Sequence, residues 1–229
     1  MRTIGLLGGM SWESSIEYER IINQEVRRRL GGAHSASLLI RSYDFAEIEA
    51  MQEAGDWEGA GALLAHDAAS LVTAGADLIV LCTNTMHLVA DAIEAAIDVP
   101  FLHLADTTAA AISRAGLSTV GLLGTRFTME ELFYRDRIER TGVTVIVPDA
   151  TDRQKVDSVI FSELVQGIVD PGSRAALVAI TGRLASAGAE GIIAGCTELE
   201  LLVSPEDVAL PYFPTTRLHA LAAVEEALR

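Results

Sequence analysis

The chain has two cysteines, and each closes an apolar run that leads into threonine: LIVLCTNT around Cys82 and GIIAGCTEL around Cys196. Ala-Gly-Ala precedes both runs. The runs are short and rich in Ile and Val, which predicts buried strands rather than helices. In an open α/β sheet, ligands gather at the carboxyl ends of strands. One cysteine at such a place is ordinary packing; two at matching places in a repeated pattern ask for a shared reason. A free thiol titrates near ~8.5 and is readily tuned by its neighbours, so two thiols flanking a small ligand can act as base and acid. Racemisation or epimerisation of a carbon acid needs that pair. One thiolate removes the α-proton, and the opposite thiol returns a proton to the other face of the planar carbanion.

Such a reaction needs donors for a carboxylate whose charge grows in the transition state. Thr83, Asn84 and Thr85 follow Cys82, and Thr197 follows Cys196. Thr125 and Thr128 stand after the strand that opens the second half of the chain. Hydroxyls, amides and helix-start N–H groups are the donors wanted, and Glu198 is placed to polarise or deprotonate Cys196. These residues also have plainer uses, threonine and asparagine as helix caps and Glu198 as a complement to a helix dipole. His87 and His103 read as packing or loop residues, and Arg27, Arg28 and Arg29 as a solvated helix end. No HxxxH, CxxC or acidic cluster has metal spacing, and there is no GxSxG. The GLLGGMS turn after the first strand is not GxGxxG and lacks a Walker lysine. Neither metal nor cofactor is expected.

The elements that position these residues alternate. Strands are predicted over 3–7, 37–42, 77–81 and 100–104, with helices over 12–30, 45–52, 58–74, 85–96 and 106–115. The plan then repeats. Strands over 120–125, 143–148, 191–194 and 211–214 are joined by helices over 129–141, 156–167, 173–187 and 217–228. Ile4 and Val120, Cys82 and Cys196, and Pro100 and Pro211 stand at nearly constant separation. A duplication of βα units implies two parallel sheets. Related by a pseudo-twofold axis, the two domains would set both cysteines on one cleft.

A chain of 229 residues, half of them apolar, can bury a full core. Its net charge of −15 disfavours nucleic acid and anionic membrane as partners. The start, MRTIGLLGGM, reads as a first strand rather than a signal peptide. Two cysteines at this spacing are no secreted disulfide framework, which points to the reducing cytoplasm.

The segments GLLGGMSWESS, VLCTNTMH, GLLGTRFTM and GCTELELL, in this order, resemble the aspartate/glutamate racemase family, and the likeness runs across the whole chain. The resemblance implies two Rossmann-like α/β domains with the active site between them, no cofactor, and a homodimer. It assigns residues 1–98 with 208–229 to the first domain and 99–207 to the second, the last helix returning to the first. Cys82 and Cys196 match the catalytic acid/base pair. Met10, Thr83, Asn84 and Thr85 match substrate-binding positions, joined by Thr125, Thr128, Thr197 and Glu198. Aspartate-selective members resemble the chain but carry an arginine near Gln52 and a lysine near Gln166. Loss of both cations implies a broad-specificity amino-acid racemase. Glutamate racemases typically place an aspartate where Met10 stands and a histidine where Glu198 stands, so the resemblance is not to the cell-wall enzyme. Three alternatives stay open. They are a dicarboxylate cis–trans isomerase with a nucleophilic cysteine, an amino-acid-binding protein without turnover, and a dithiol redox protein that would readily form a Cys82–Cys196 disulfide.

Overall fold

In the computed structural model, which describes residues 1–229, β1 (Ile4–Gly8) leads into α1 (Trp12–Leu30), β2 (Leu38–Ser42), α2 (Phe45–Ala54) and α3 (Trp57–Thr73). Then come β3 (Leu78–Leu81), a 3-10 segment at Thr85–Val89, α4 (Ala90–Ala96), β4 (Phe101–Leu102) and α5 (Leu104–Ala115). The second round comprises β5 (Thr119–Gly124), α6 (Arg126–Glu130), α7 (Leu132–Glu139), β6 (Thr144–Ile146), α8 (Ala150–Ser162) and α9 (Pro171–Ser186). It ends with β7 (Gly191–Gly195), α10 (Leu199–Leu202), β8 (Tyr212–Pro214) and α11 (Thr215–Ala227). Strand order is β2-β1-β3-β4 in one sheet and β6-β5-β7-β8 in the other, and every pairing is parallel. The two halves thus share one topology, as the repeated sequence predicts.

Alternation along each strand decides what covers each face. Ile4, Leu6, Leu78, Val80 and Cys82 pack on one side of the first sheet with Tyr18, Ile21, Ile22 and Val26 of α1 and Ala220, Ala223, Val224 and Ala227 of α11. Leu7, Ile79 and Leu81 face the other way, against Ile48 of α2, Leu64, Ala68 and Leu71 of α3 and Ile93 of α4. In the second sheet, Leu123, Ile192, Ala194 and Cys196 bury against Val156, Val159 and Ile160 of α8 and Leu177, Ile180 and Leu184 of α9.

Compact units form from Met1–Leu104 with His219–Arg229, and from Ala105–Leu218. Residues 99–104 and 208–218 therefore lie in the unit opposite to the one expected for them. The reason is pairing: β4 bonds to β3 in the first sheet, and β8 to β7 in the second. The chain changes units at the start of α5 and again within α11.

Three helical expectations are corrected. Residues 129–141 form two helices, because Glu131 is extended (φ −76°, ψ 148°) between α6 and α7. The segment after Cys82 begins as a tighter 3-10 turn before α4. Residues before 156 are helical from Ala150, capped by the Asp149 carboxylate, which accepts from Asp152 N at 2.9 Å. No helix is long and apolar enough to cross a membrane.

Candidate active site

In the first unit, the carboxyl ends of β1 and β3 lie side by side. Cys82 N–H donates to Leu7 O at 2.9 Å, extending the β1–β3 ladder by one residue. Its side chain is fully buried among Leu6, Val80 and Ala220, with Sγ 4.0 Å from Val80 O. Burial pushes the Cys82 thiol well above its usual range. Beside it runs Gly8-Gly9-Met10. Gly9 has φ +86°, and a Cβ there would strike the backbone of Tyr43, so glycine is required. Ser15 Oγ accepts from Gly9 N at 2.6 Å and donates to Ser11 O at 3.2 Å, fastening this turn to α1. Thr83, Asn84 and Thr85 are all buried after Cys82. Met10 and Met86 share one cluster, and Gln52 Nε2 donates to Met86 Sδ at 3.1 Å. The structure thus places Gln52 against Met86, in the core that also holds Met10.

In the second unit, Gly124 and Gly195 are register partners at the ends of β5 and β7. A Cβ at Gly195 would lie 2.9 Å from Leu123 O, and one at Gly124 2.8 Å from Gly195 O. Only bare backbone fits there. Cys196 follows, 6% exposed, and its Sγ donates to Glu198 Oε2 at 2.9 Å. Burial chiefly, then the Glu198 charge and hydrogen bond, hold this thiol well above its ordinary value. Thr125 caps α6 by accepting from Thr128 N at 3.3 Å, and the two hydroxyls lie 3.1 Å apart. Thr197 and Glu198 are buried. Gln166, by contrast, is exposed at the end of the 3-10 turn Leu164–Gln166, whose Leu164 packs in the same cluster as Cys196.

The cysteines are not at matching places. Leu7 pairs with Leu81, and its counterpart Leu123 pairs with Ala194. Cys82 therefore corresponds to Gly195, and Cys196 stands one residue further on. A one-residue step along a strand turns a side chain to the other face. Accordingly, Cys82 lies on the α1/α11 side of its sheet and Cys196 on the α8/α9 side of its own. Both thiols are free.

Two side chains that hold these turns escape the sequence reading. Ser15 lies within a run of serines with nothing to single it out. His87 is read as packing, yet its ring lies 2.7 Å from Thr83 O and 3.2 Å from Leu104 N. The signal was its spacing, four residues after Thr83.

The architecture, two parallel four-stranded sheets flanked by helices, is that of solved Asp/Glu racemase structures. The chain belongs to the Asp/Glu/hydantoin racemase family, whose model matches residues 7–223. A candidate Asp/Glu racemase from Yersinia pestis is 52% identical with a TM-score of 0.94, and the match covers 100% of both chains. An aspartate racemase homologue from Pyrococcus horikoshii is 33% identical with a TM-score of 0.88, again over 100% of both. The aspartate racemase of Picrophilus torridus shares the fold (TM-score 0.74) at 17% identity, over 99% of this chain and 94% of that one.

Proposed function

We propose that the protein is a cofactor-independent amino-acid racemase in which Cys82 and Cys196 act on opposite faces of one Cα. The observation that supports this most is the buried Cys196–Glu198 contact of 2.9 Å. Both thiols are driven toward the protonated form by burial, so a base must be made before a proton can be taken. Glu198 is the adjacent acceptor. Transfer of the Cys196 proton to the Glu198 carboxylate leaves a thiolate that removes the α-proton. The Cys82 thiol then protonates the opposite face and becomes the thiolate, while Cys196 is a thiol again. That end state is the one that accepts the other enantiomer, so the cycle runs both ways. Thr83, Asn84, Thr85 and Thr197 would bind the carboxylate, whose enediolate-like charge peaks in the transition state.

For specificity, the amide of Gln52, in contact with Met86, would stand near the substrate side chain. An uncharged amide in place of a cation would suit neutral or longer side chains as well as aspartate and glutamate. The protein would act as a homodimer in the reducing cytoplasm.

The test is solvent-deuterium incorporation followed by NMR, with single-enantiomer aspartate, glutamate and neutral amino acids in heavy water. The expected result is loss of the α-proton signal together with appearance of the opposite enantiomer. Cys82→Ala and Cys196→Ala should each abolish racemisation, with at most one-sided exchange remaining. No exchange with any amino acid removes the racemase reading, and a covalent Cys82 adduct by mass spectrometry would replace it with the dicarboxylate isomerase.

A further inference from the structure

We infer that His87 is a positioning residue for the Cys82 turn, fixing its shape without touching substrate; the catalytic part of this inference rests on the racemase reading above. His87 is 2% exposed, and each ring nitrogen faces one backbone group of the strand ends. Nε2 lies 3.2 Å from Leu104 N, a group that can only donate. Nε2 must therefore accept, so the ring hydrogen sits on Nδ1, which donates to Thr83 O at 2.7 Å. The tautomer is set by geometry. The ring is wedged by His103, Phe101 and His219, at centroid distances of 4.6, 5.7 and 5.9 Å.

The backbone explains why a side chain is needed there. In a regular α-helix, Thr83 O would accept from His87 N four residues on. The 3-10 winding of Thr85–Val89 gives that N–H to Asn84 O instead, at 3.1 Å. The imidazole takes up the Thr83 carbonyl that the tighter turn leaves behind. The Thr83–Asn84 peptide is planar, so holding its oxygen toward His87 directs the Asn84 N–H the opposite way. One ring thus orients the first peptide after the reactive cysteine. It also ties that peptide to Leu104, the residue that follows β4 and His103 in the neighbouring strand's connection.

Asparagine and glutamine separate the two halves of this grip. His87→Asn keeps a donor near Nδ1 for Thr83 O, whereas His87→Gln reaches the Nε2 position and releases the carbonyl. Three measurements follow, two of which do not depend on turnover. In the unaltered protein, the ring resonances of His87 should report the Nδ1–H tautomer; the Nε2–H tautomer overturns the inference whatever the variants do. Iodoacetamide alkylation of Cys82, followed by peptide mass spectrometry, should be about tenfold faster in His87→Gln and near the parent rate in His87→Asn. For racemisation, His87→Gln should lose kcat by roughly 10- to 100-fold, the cost of a small displacement of catalytic groups. Its KM should change little, and His87→Asn should recover most of the loss. Equal behaviour of the two variants, with melting temperatures at the parent value, refutes a positioning role. If the parent protein racemises nothing, the functional reading falls while the tautomer and alkylation results still decide the geometry.

Discussion

At the scale of single residues, the two thiols are chemically unequal. Cys82 sits in an apolar cluster, with a carbonyl 4.0 Å from its sulfur. Cys196 holds a hydrogen bond to a buried carboxylate. Part of the upward shift of Cys196 comes from the Glu198 charge and hydrogen bond, after the larger effect of burial. Removing the charge while keeping the shape should therefore move two observables in opposite directions. In Glu198→Gln, alkylation of Cys196 by iodoacetamide should begin at lower pH, because the thiolate no longer faces a negative neighbour. Racemisation should fall by about 100-fold, as expected when a positioned proton acceptor is lost. A Glu198→Gln protein with unchanged turnover makes the carboxylate a structural cap and leaves Cys196 to find its base in solvent. The Cys196–Glu198 contact was legible because cysteine, threonine and glutamate follow one another in GCTE. Gln166 was not, because placing it needed the local winding of a 3-10 turn that no periodicity announces.

Element by element, α1 was legible to its ends because glycines bracket it and its apolar face keeps a helical period, Tyr18, Ile21, Ile22 and Val26 lining up on the first sheet. The break at Glu131 was not, since MEELFYRDRIE contains no glycine or proline. The short tie between α5 and α7, where Arg137 pairs with Asp106 at 2.7 Å and Tyr134 OH donates to Thr108 at 3.3 Å, shows tertiary contacts acting in its place. The one-residue phase difference between the cysteines was hidden too, because nearly constant separations do not resolve a single residue. Its cause is visible at Gly195, where the strand end must stay bare. Gly195→Ala would press a methyl against Leu123 O and against Leu122 Cδ1 at 2.8 Å. That overpacking should cost roughly 1–3 kcal/mol in urea unfolding and displace Cys196, lowering kcat. Gly182 is the control. It is exposed within α9 and has open space around it. Gly182→Ala should stabilise the protein by about 0.5–1 kcal/mol, the usual gain from alanine over glycine in a helix, and leave turnover unchanged. Equal effects of the two substitutions would mean that the bare strand end is not a requirement.

Across the whole molecule, the chain closes its first unit with its last helix, a contact of high sequence separation that duplication alone would not require. Ala220, Ala223, Val224 and Ala227 supply the apolar side of that closure. His219 supplies the polar side. Its Nε2 donates to Leu102 O at 2.7 Å and its Nδ1 accepts from Tyr18 OH at 2.8 Å, joining α11 to β4 and to α1. Both bonds need a neutral ring with the hydrogen on Nε2. Burial, partly offset by the Leu102 hydrogen bond, lowers the His219 pKa to about 4, against ~6.5 for an unfolded histidine. Between those values the unfolded chain binds a proton that the folded one refuses, so stability rises with pH across this window. The contribution is complete above about pH 6.5 and is lost progressively as pH falls toward 4, to an extent on the order of 3 kcal/mol. Carboxylates also titrate at the acid end of this range in a chain of net charge −15, so the parent curve alone is insufficient. The difference between the parent and His219→Gln, which keeps one donor and one acceptor but cannot titrate there, isolates the ring. Urea unfolding at steps from about pH 7.5 to about 4.5, roughly the window set by the two pKa values, should show the variant's stability changing less with pH. Parallel curves would mean that the ring stays neutral in both states or is protonated in both, and that α11 is held by its alanines and valine alone.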